Sequence, residues 1–303
     1  MKVEAFEELR PRALAIAYRM LGSVSEAEDV VQEAYLRLHR AEQEGQRIES
    51  PRAYLSTVVT RLSIDVLRSA RSRRETYVGE WLPEPLLADP EGDPARHAEV
   101  ADTLSLAFLV LLEKLTPEQR AVFLLREVFD YPYDRIAEIV GKSEDNVRQL
   151  NVRARRHVDE GRTRFDASRE QREQLADRFF AAAQDGDLPA LEALLAEDVE
   201  LHGDGGGKVP ALARALFGRS RVAGTLRNWA RAGARIAGLD VRRADVNGQP
   251  GAIFRDADGH VFCVMALDIA DGQVQSIRSI VNPDKLGHLG EVADTGALLR
   301  GDS

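Results

Sequence analysis

A change of hydrophobic period constrains this chain more than any other feature. Up to about residue 165 the apolar residues recur at three- and four-residue spacing. Beyond about residue 238 they alternate, in the segments GLDVRRADV, GAIFRDA, HVFCVMALDIA and QVQSIRSIV. The first period belongs to helices and the second to strands, so the two parts cannot share one packing scheme. Asn247-Gly248, Asp258-Gly259 and Asp271-Gly272 separate the alternating segments, and each is a strong hairpin signal. Two helical stretches, about 168–184 and 188–196, precede the strands. Helices followed by an antiparallel meander predict an α+β domain whose curved sheet wraps its helices. A length of 303 residues is enough for two or three domains.

The helical part subdivides. Phe6, Leu9, Ala13, Ile16, Ala17, Met20 and Leu21 line a first helix that Gly22 stops. Ser25, with Glu28 three residues on, is placed to cap a second helix carrying Ala27, Val30, Val31, Ala34, Leu36 and Leu38 as apolar positions. Pro51 opens a third. Residues 79–102 are rich in Pro, Gly and Asp and read as an acidic linker, yet Trp81, Leu82 and Pro83 lie in it. Large apolar residues in a linker favour packing on a neighbouring domain. Residues 103–165 are helical again, and YPYDRIAEIVGKSEDNVRQL reads as a helix-turn-helix, with Gly141 at the turn and Ser143 as cap. Val147, Leu150, Ala154 and Val158 share one face, while Asp145, Arg148, Gln149, Val152 and Arg156 share the other, the side a recognition helix turns to the major groove. Such a pair also serves purely structural ends, so the pattern alone leaves DNA contact open.

The formal net charge of −9 argues against nucleic acid as a general partner. The arginines are clustered, however: Arg61, Arg68, Arg71, Arg73 and Arg74 in one stretch, Arg148, Arg153, Arg155, Arg156, Arg162 and Arg164 in another. Local patches steer binding whatever the total. There is no apolar run long enough to span a membrane, the N-terminus lacks a signal-peptide pattern, and Cys263 is the sole cysteine, so no zinc site or disulfide is expected and a cytoplasmic location is.

HGDGGGKVP, His202–Pro210, has the look of a phosphate cradle. A P-loop needs four residues between its glycines and Ser or Thr after Gly-Lys. Here three residues separate Gly203 from Gly207, and Val209 follows Lys208, so no nucleotide or other cofactor is expected. The glycines instead permit backbone shapes closed to other residues, or a close approach to a second backbone.

Several of these stretches resemble one family. DVVQEAYLRLHR (Asp29–Arg40), followed by PRAYLSTVVTRLSIDVLRSARSRRET, resembles region two of bacterial extracytoplasmic-function sigma factors. LTPEQRAVFLLREVFDYPYDRIAEIVGKSEDNVRQL resembles their region four, and the C-terminal part resembles a SnoaL-like domain. WLPEP (Trp81–Pro85), DGGGK (Asp204–Lys208) and NPDK (Asn282–Lys285) are similar to hallmarks of the SigJ-type subgroup. The chain departs from many members at Leu150, where they carry a basic residue, and at Asn151, where they carry an apolar one.

The resemblance implies a multi-domain protein: a region 2 helical bundle (1–78), the linker (79–102), a region 4 helix-turn-helix (103–165), an α+β SnoaL-like, nuclear transport factor 2-like cone domain (168–286), and a flexible tail (287–303). It implies core RNA polymerase and promoter DNA as partners, no membrane, and no catalytic or metal residues. Asp29, Gln32 and Glu33 are then expected to meet the polymerase clamp. The loop around Gln43–Arg52 and the third helix, with Arg52, Arg61, Arg68, Arg71, Arg73 and Arg74, meet the −10 element, Asp65 serving as partner of a nearby arginine. Arg148 and Gln149 suit guanine and adenine edges and Val152 a thymine methyl in the −35 element, while Arg153, Arg155 and Arg156 serve phosphates or structural pairs. Asp204, Gly205, Gly206, Gly207, Lys208, Asn282, Pro283, Asp284 and Lys285 form a docking element with Trp81, Leu82 and Pro83. A C-terminal cavity leaves room for an unidentified small ligand. Two other readings remain: a free-standing helix-turn-helix regulator with a ligand-binding domain, and a SnoaL-like isomerase or cyclase using His202, His260, Asp256 or Asp268.

Overall fold

The computed structural model describes residues 3–75, 77–88, 104–161 and 168–300, with backbone alone for 3–7, 70–75, 161 and 299–300. The chain forms two compact units, Met1–Thr76 with Leu109–Arg162, and Tyr77–Phe108 with Thr163–Ser303. Among the described residues no helix is long and apolar enough to cross a membrane.

In the first unit α1 (Val3–Leu21), α2 (Val24–Gln43) and α3 (Pro51–Glu75) pack on one another. Ile16, Ala17 and Leu21, Ala27, Ala34 and Leu38, and Leu55 and Val59 form the buried seam. Gly22, at φ 67°, ends α1 as expected. The cap of α2 is Ser23 rather than Ser25: its hydroxyl accepts the Glu26 N–H at 3.1 Å. The earlier start lets Val24 join the buried seam. Leu36 also departs from the sequence reading, being 40% exposed rather than buried. After α4 (Leu106–Glu113), α5 (Pro117–Phe123) carries a Thr116–Gln119 capping box and runs into a π-helical turn, Leu124–Val128. Then come α6 (Tyr133–Val140) and α7 (Glu144–Gly161). Gly141 takes the left-handed conformation at the end of α6, and Ser143 accepts the Asn146 N–H. Val122, Leu125, Ile136, Ile139 and Val147 fill the space between these helices.

The second unit holds α8 (Arg169–Asp185), α9 (Leu188–Leu194), β1 (Leu195–Asp204), β2 (Leu216–Phe217), α10 (Arg219–Gly233), β3 (Asp240–Val246), β4 (Gln249–Arg255), β5 (Val261–Ala270) and β6 (Gln273–Ile280). The six-stranded sheet has the order β2-β1-β6-β5-β4-β3. The three hairpins read from the sequence join β3 to β6, with Asn247 and Asp271 at positive φ. The sheet is not a pure antiparallel meander, because β1 pairs parallel to β6. The alternation of β1, LAEDVELHGD, is diluted by Glu197, Asp198 and Glu200, which hides it from a period-2 reading.

One face of the sheet packs against α8, α9 and α10, through Phe179, Leu191, Val222, Leu226, Leu267 and Ile277 among others. On the opposite face lie His202 and Asp204 of β1, Asp268 of β5 and Arg278 of β6. That face is covered by the segment 77–88. Asn247 N–H donates to Leu86 O at 2.8 Å and Ala88 N–H to Asp245 O at 3.0 Å, while Leu87 bridges Val246. Residues 89–103, the rest of the linker read from the sequence, lie outside the described residues. The segment from 287 on, read as a flexible tail, pairs with the start of β5 through residues 291–293. Val261 N–H donates to Glu291 O, Ala293 N–H donates to Val261 O, and α11 spans Thr295–Arg300. Its chain supplies backbone partners to the start of β5, which its glycine-rich composition did not reveal.

Candidate nucleic-acid interface and the seat of the linker

On α7, Arg148, Gln149, Val152, Arg153 and Arg156 all face solvent, and Val152 is 68% exposed. The helix buries Val147, Ala154 and Val158 on its other side. Its arginines are held by their own helix: Arg148 by Glu144, Arg155 by Asp159 at 3.8 Å and Arg156 by Glu160 at 2.9 Å. Exposed pairs at this spacing contribute little to stability. Being exposed, they are readily exchanged for other partners.

The α3 candidates are placed differently. Arg52 is exposed. Arg61 donates to Ile139 O at 2.8 Å and to Glu138 O at 2.9 Å, carbonyls at the end of α6 that the helix cannot pair internally. Arg68 binds Glu118 at 2.6 Å and Asp65 at 3.4 Å. Both arginines thus already carry protein partners while remaining exposed. The side chains of Arg71, Arg73 and Arg74 lie outside the described residues.

On α2, Asp29 and Gln32 are exposed, and Glu33 is bonded to Arg37 at 2.8 Å. That hydrogen bond holds the Glu33 carboxyl below the usual carboxylate range. Leu36, three and four residues along from Glu33 and Gln32, extends this stripe with an exposed apolar group. The helical period assigned it to the core, and its exposure beside polar neighbours is what marks it.

The three motifs of the second unit converge. Asp204 is fully buried. Its Oδ2 accepts from Lys285 Nζ at 2.6 Å and from Leu82 N–H at 2.8 Å. Its Oδ1 accepts from the Tyr77 hydroxyl at 2.5 Å and from Gly206 N–H at 3.0 Å. Lys285 also donates to Leu82 O and lies 4.2 Å over the Trp81 ring. Asn282 Nδ2 donates to the Tyr77 oxygen at 2.8 Å, and Lys208 pairs with Asp284 at 2.6 Å on the exposed side. Burial and the bond to Asp204 push the Tyr77 phenol well above its ordinary pKa. Leu82, Pro83, Glu84 and Pro85 are buried and Trp81 is half-buried.

The glycines make this geometry. Gly206 and Gly207 both have positive φ, and Lys208 N–H returns to Gly205 O at 3.0 Å, closing a tight turn. A Cβ on Gly206 would stand 2.4 Å from Asn282 Nδ2, and one on Gly205 2.4 Å from Val209 O. The Gly206 amide, which a phosphate cradle would offer to a ligand, is donated to Asp204.

The acid–base candidates do not converge. His202 sits between Glu80 (2.7 Å) and Glu200 (2.9 Å), and Asp268 is paired with Arg278 on the linker-covered face. Burial disfavours the His202 imidazolium, but the bonds from Glu200 and Glu80 outweigh it and raise its pKa. Asp256 and His260 belong to the β4–β5 turn. With Asp258 they form the one group among the described residues whose ligand atoms could share a metal, within 4.8 Å of one another. The Asp256 carboxylate there already accepts the N–H groups of Asp258 and His260.

Comparison with known proteins places these features. Residues 5–73 match the Sigma-70 region 2 family model and residues 105–158 the Sigma-70 region 4 model. The chain is 38% identical to the ECF RNA polymerase sigma factor SigJ of Mycobacterium tuberculosis over 294 residues, 94% of this chain and 93% of the relative. It is 33% identical to the probable ECF RNA polymerase sigma factor SigI of the same species, covering 94% of each. The crystal structure of M. tuberculosis SigJ superposes with a TM-score of 0.75 at 35% identity, covering 94% of this chain and 98% of that one.

Proposed function

Because this chain belongs to the extracytoplasmic-function sigma factors of RNA polymerase, we propose that it brings core polymerase to promoters by dividing its contacts among α2, α3 and α7. The exposed α2 stripe Asp29–Gln32–Glu33–Leu36 meets the polymerase. Arg52 and the arginines of α3, Arg61, Arg68, Arg71, Arg73 and Arg74, act at the −10 element. The outer face of α7 reads the −35 element: Arg148 and Gln149 contact base edges, Val152 a thymine methyl, and Arg153 and Arg156 the backbone. One observation carries this reading: a capped helix-turn-helix presents Arg148, Gln149 and Val152 together to solvent while its opposite face is buried. The C-terminal unit modulates the activity by holding the segment that joins regions two and four. Asp204, Gly205, Gly206, Gly207 and Lys208, with Asn282, Pro283, Asp284 and Lys285, form the seat, and Trp81, Leu82 and Pro83 occupy it. No step of bond-making chemistry is assigned to the protein.

In vitro transcription on genomic fragments tests the assignment. Core polymerase with the chain is expected to give promoter-specific transcripts, and the chain alone is expected to bind duplex DNA weakly. Saturation of one specific duplex by the free chain at physiological salt, with no gain from core polymerase, would point instead to a free-standing regulator.

A further inference from the structure

Asn151 is a polar residue in an apolar place. It is 3% exposed, on the side of α7 that packs against Val122, Leu125, Ile136 and Ile139. A buried amide costs stability unless its bonds are made. Asn151 makes two through Nδ2, to Glu127 Oε1 at 2.8 Å and to the Tyr133 hydroxyl at 3.1 Å, while its Oδ1 has no partner among the described residues. A half-satisfied amide is a poor choice for stability alone. What it does is fix Tyr133, the first residue of α6.

Tyr133 is gripped a second time by the same helix. Arg148, three residues before Asn151 and therefore on a neighbouring stripe of α7, lays its guanidinium 4.4 Å from the centre of the Tyr133 ring. Arg126, from the π-helical turn, lies 4.9 Å from the same ring and donates to Tyr131 O at 3.0 Å. The stack and the ion pair to Glu144 hold Arg148 from two sides. An arginine that reads a base must present its planar fork at a set angle, and a free side chain loses rotamer entropy in doing so.

We propose that Tyr133 and Asn151 are positioning residues for promoter recognition: Asn151 locks Tyr133, and the Tyr133 ring pre-orients Arg148 toward the base it reads. The inference rests on the assignment of α7 to the −35 element and adds to it a support that no base contact supplies. It also gives the departure at Asn151 a use, since an apolar residue there would pack but could not hold the tyrosine hydroxyl.

The test uses the full chain with core polymerase on a template library randomised across the upstream promoter element, with transcripts sequenced to give the preference at each position. A good bidentate contact discriminates about 10- to 100-fold at its base pair. Arg148→Ala should erase the preference at one position. Asn151→Leu, which keeps the core filled, and Tyr133→Ala should each lower it several-fold at that same position and leave the other positions unchanged. Tyr133→Phe, which keeps the ring but loses the oxygen that Asn151 holds, should lower it by about as much as Asn151→Leu and by less than Tyr133→Ala. If Arg148→Ala erases the preference but Asn151→Leu and Tyr133→Phe both match wild type and Tyr133→Ala lowers all promoters alike, the positioning role is wrong and the α7 assignment stands. If Arg148→Ala changes no position, the α7 assignment itself fails.

Discussion

The two charged regions of this protein are built on opposite terms. On α7 the ion pairs are local, four residues apart, and exposed: Arg148–Glu144, Arg155–Asp159 and Arg156–Glu160. In the seat of the linker the ion pair is remote in sequence and buried: Asp204 with Lys285, with hydrogen bonds from Leu82 N–H and the Tyr77 hydroxyl to the same carboxylate. The first kind is worth little and is easily exchanged, as suits the DNA-reading surface proposed for α7. The second is costly to form and more costly to break, because either half left alone is an uncompensated buried charge. An ion pair is thus exchangeable where water reaches it and architectural where water does not.

Breaking the seat should have the largest effect. Asp204→Ala leaves the Lys285 ammonium buried without its carboxylate and removes the acceptor of Leu82 N–H. A loss of about 3–5 kcal/mol is expected in denaturant unfolding of the C-terminal unit. A change within about 0.5 kcal/mol would mean that the junction does not hold the linker.

A smaller, pH-dependent effect should come from His202, which joins Glu80 of the linker to Glu200 of β1. Arg278, opposite it on β6 and paired with Asp268, opposes the imidazolium charge, and the Asp204–Lys285 pair lies on the same face. The folded-state pKa of His202 is raised above 6.5. Its contribution is therefore complete below about pH 6.5 and is lost as pH rises through the raised value. His202→Gln should flatten the stability–pH profile in that range, and an unchanged slope would remove His202 from the account.

The smallest effect belongs to α7. Arg156→Ala should leave folding stability essentially unchanged in denaturant unfolding, since its partner Glu160 is exposed, while weakening transcription from all promoters alike. A marked loss of stability would erase the contrast between the two regions.

How far the sequence led follows the same division. The helices of the first unit and the hairpins from β3 to β6 were legible because their signals are local: Gly141 and Ser143 at the helix-turn-helix, Asn247-Gly248 and Asp271-Gly272 at the turns. The outward residues of α7 followed from period alone. The parallel pairing of β1 with β6 was not legible, because its register depends on a strand far away in sequence and its own alternation is interrupted by acids. Nor was the engagement of Arg61 with the carbonyls of α6, or the pairing of Asp204 with Lys285. Both residues were singled out as motif members through a family resemblance, but no spacing rule links a β1 carboxylate to a lysine in the turn after β6. Leu36 and Asn151 misled the period in opposite directions, one an apolar residue in solvent, the other a polar residue in the core.

Hydrogen exchange of the free full-length chain tests most directly whether the linker is seated on the C-terminal sheet. The amides of Leu82, Leu86 and Ala88 donate to Asp204, Asn247 and Asp245, so they should exchange about as slowly as those of the adjoining strands. In Asp204→Ala the Leu82 amide should speed up while the α7 amides stay unchanged. Exchange of all three linker amides at the rate of an unstructured peptide in the wild-type chain would contradict the account.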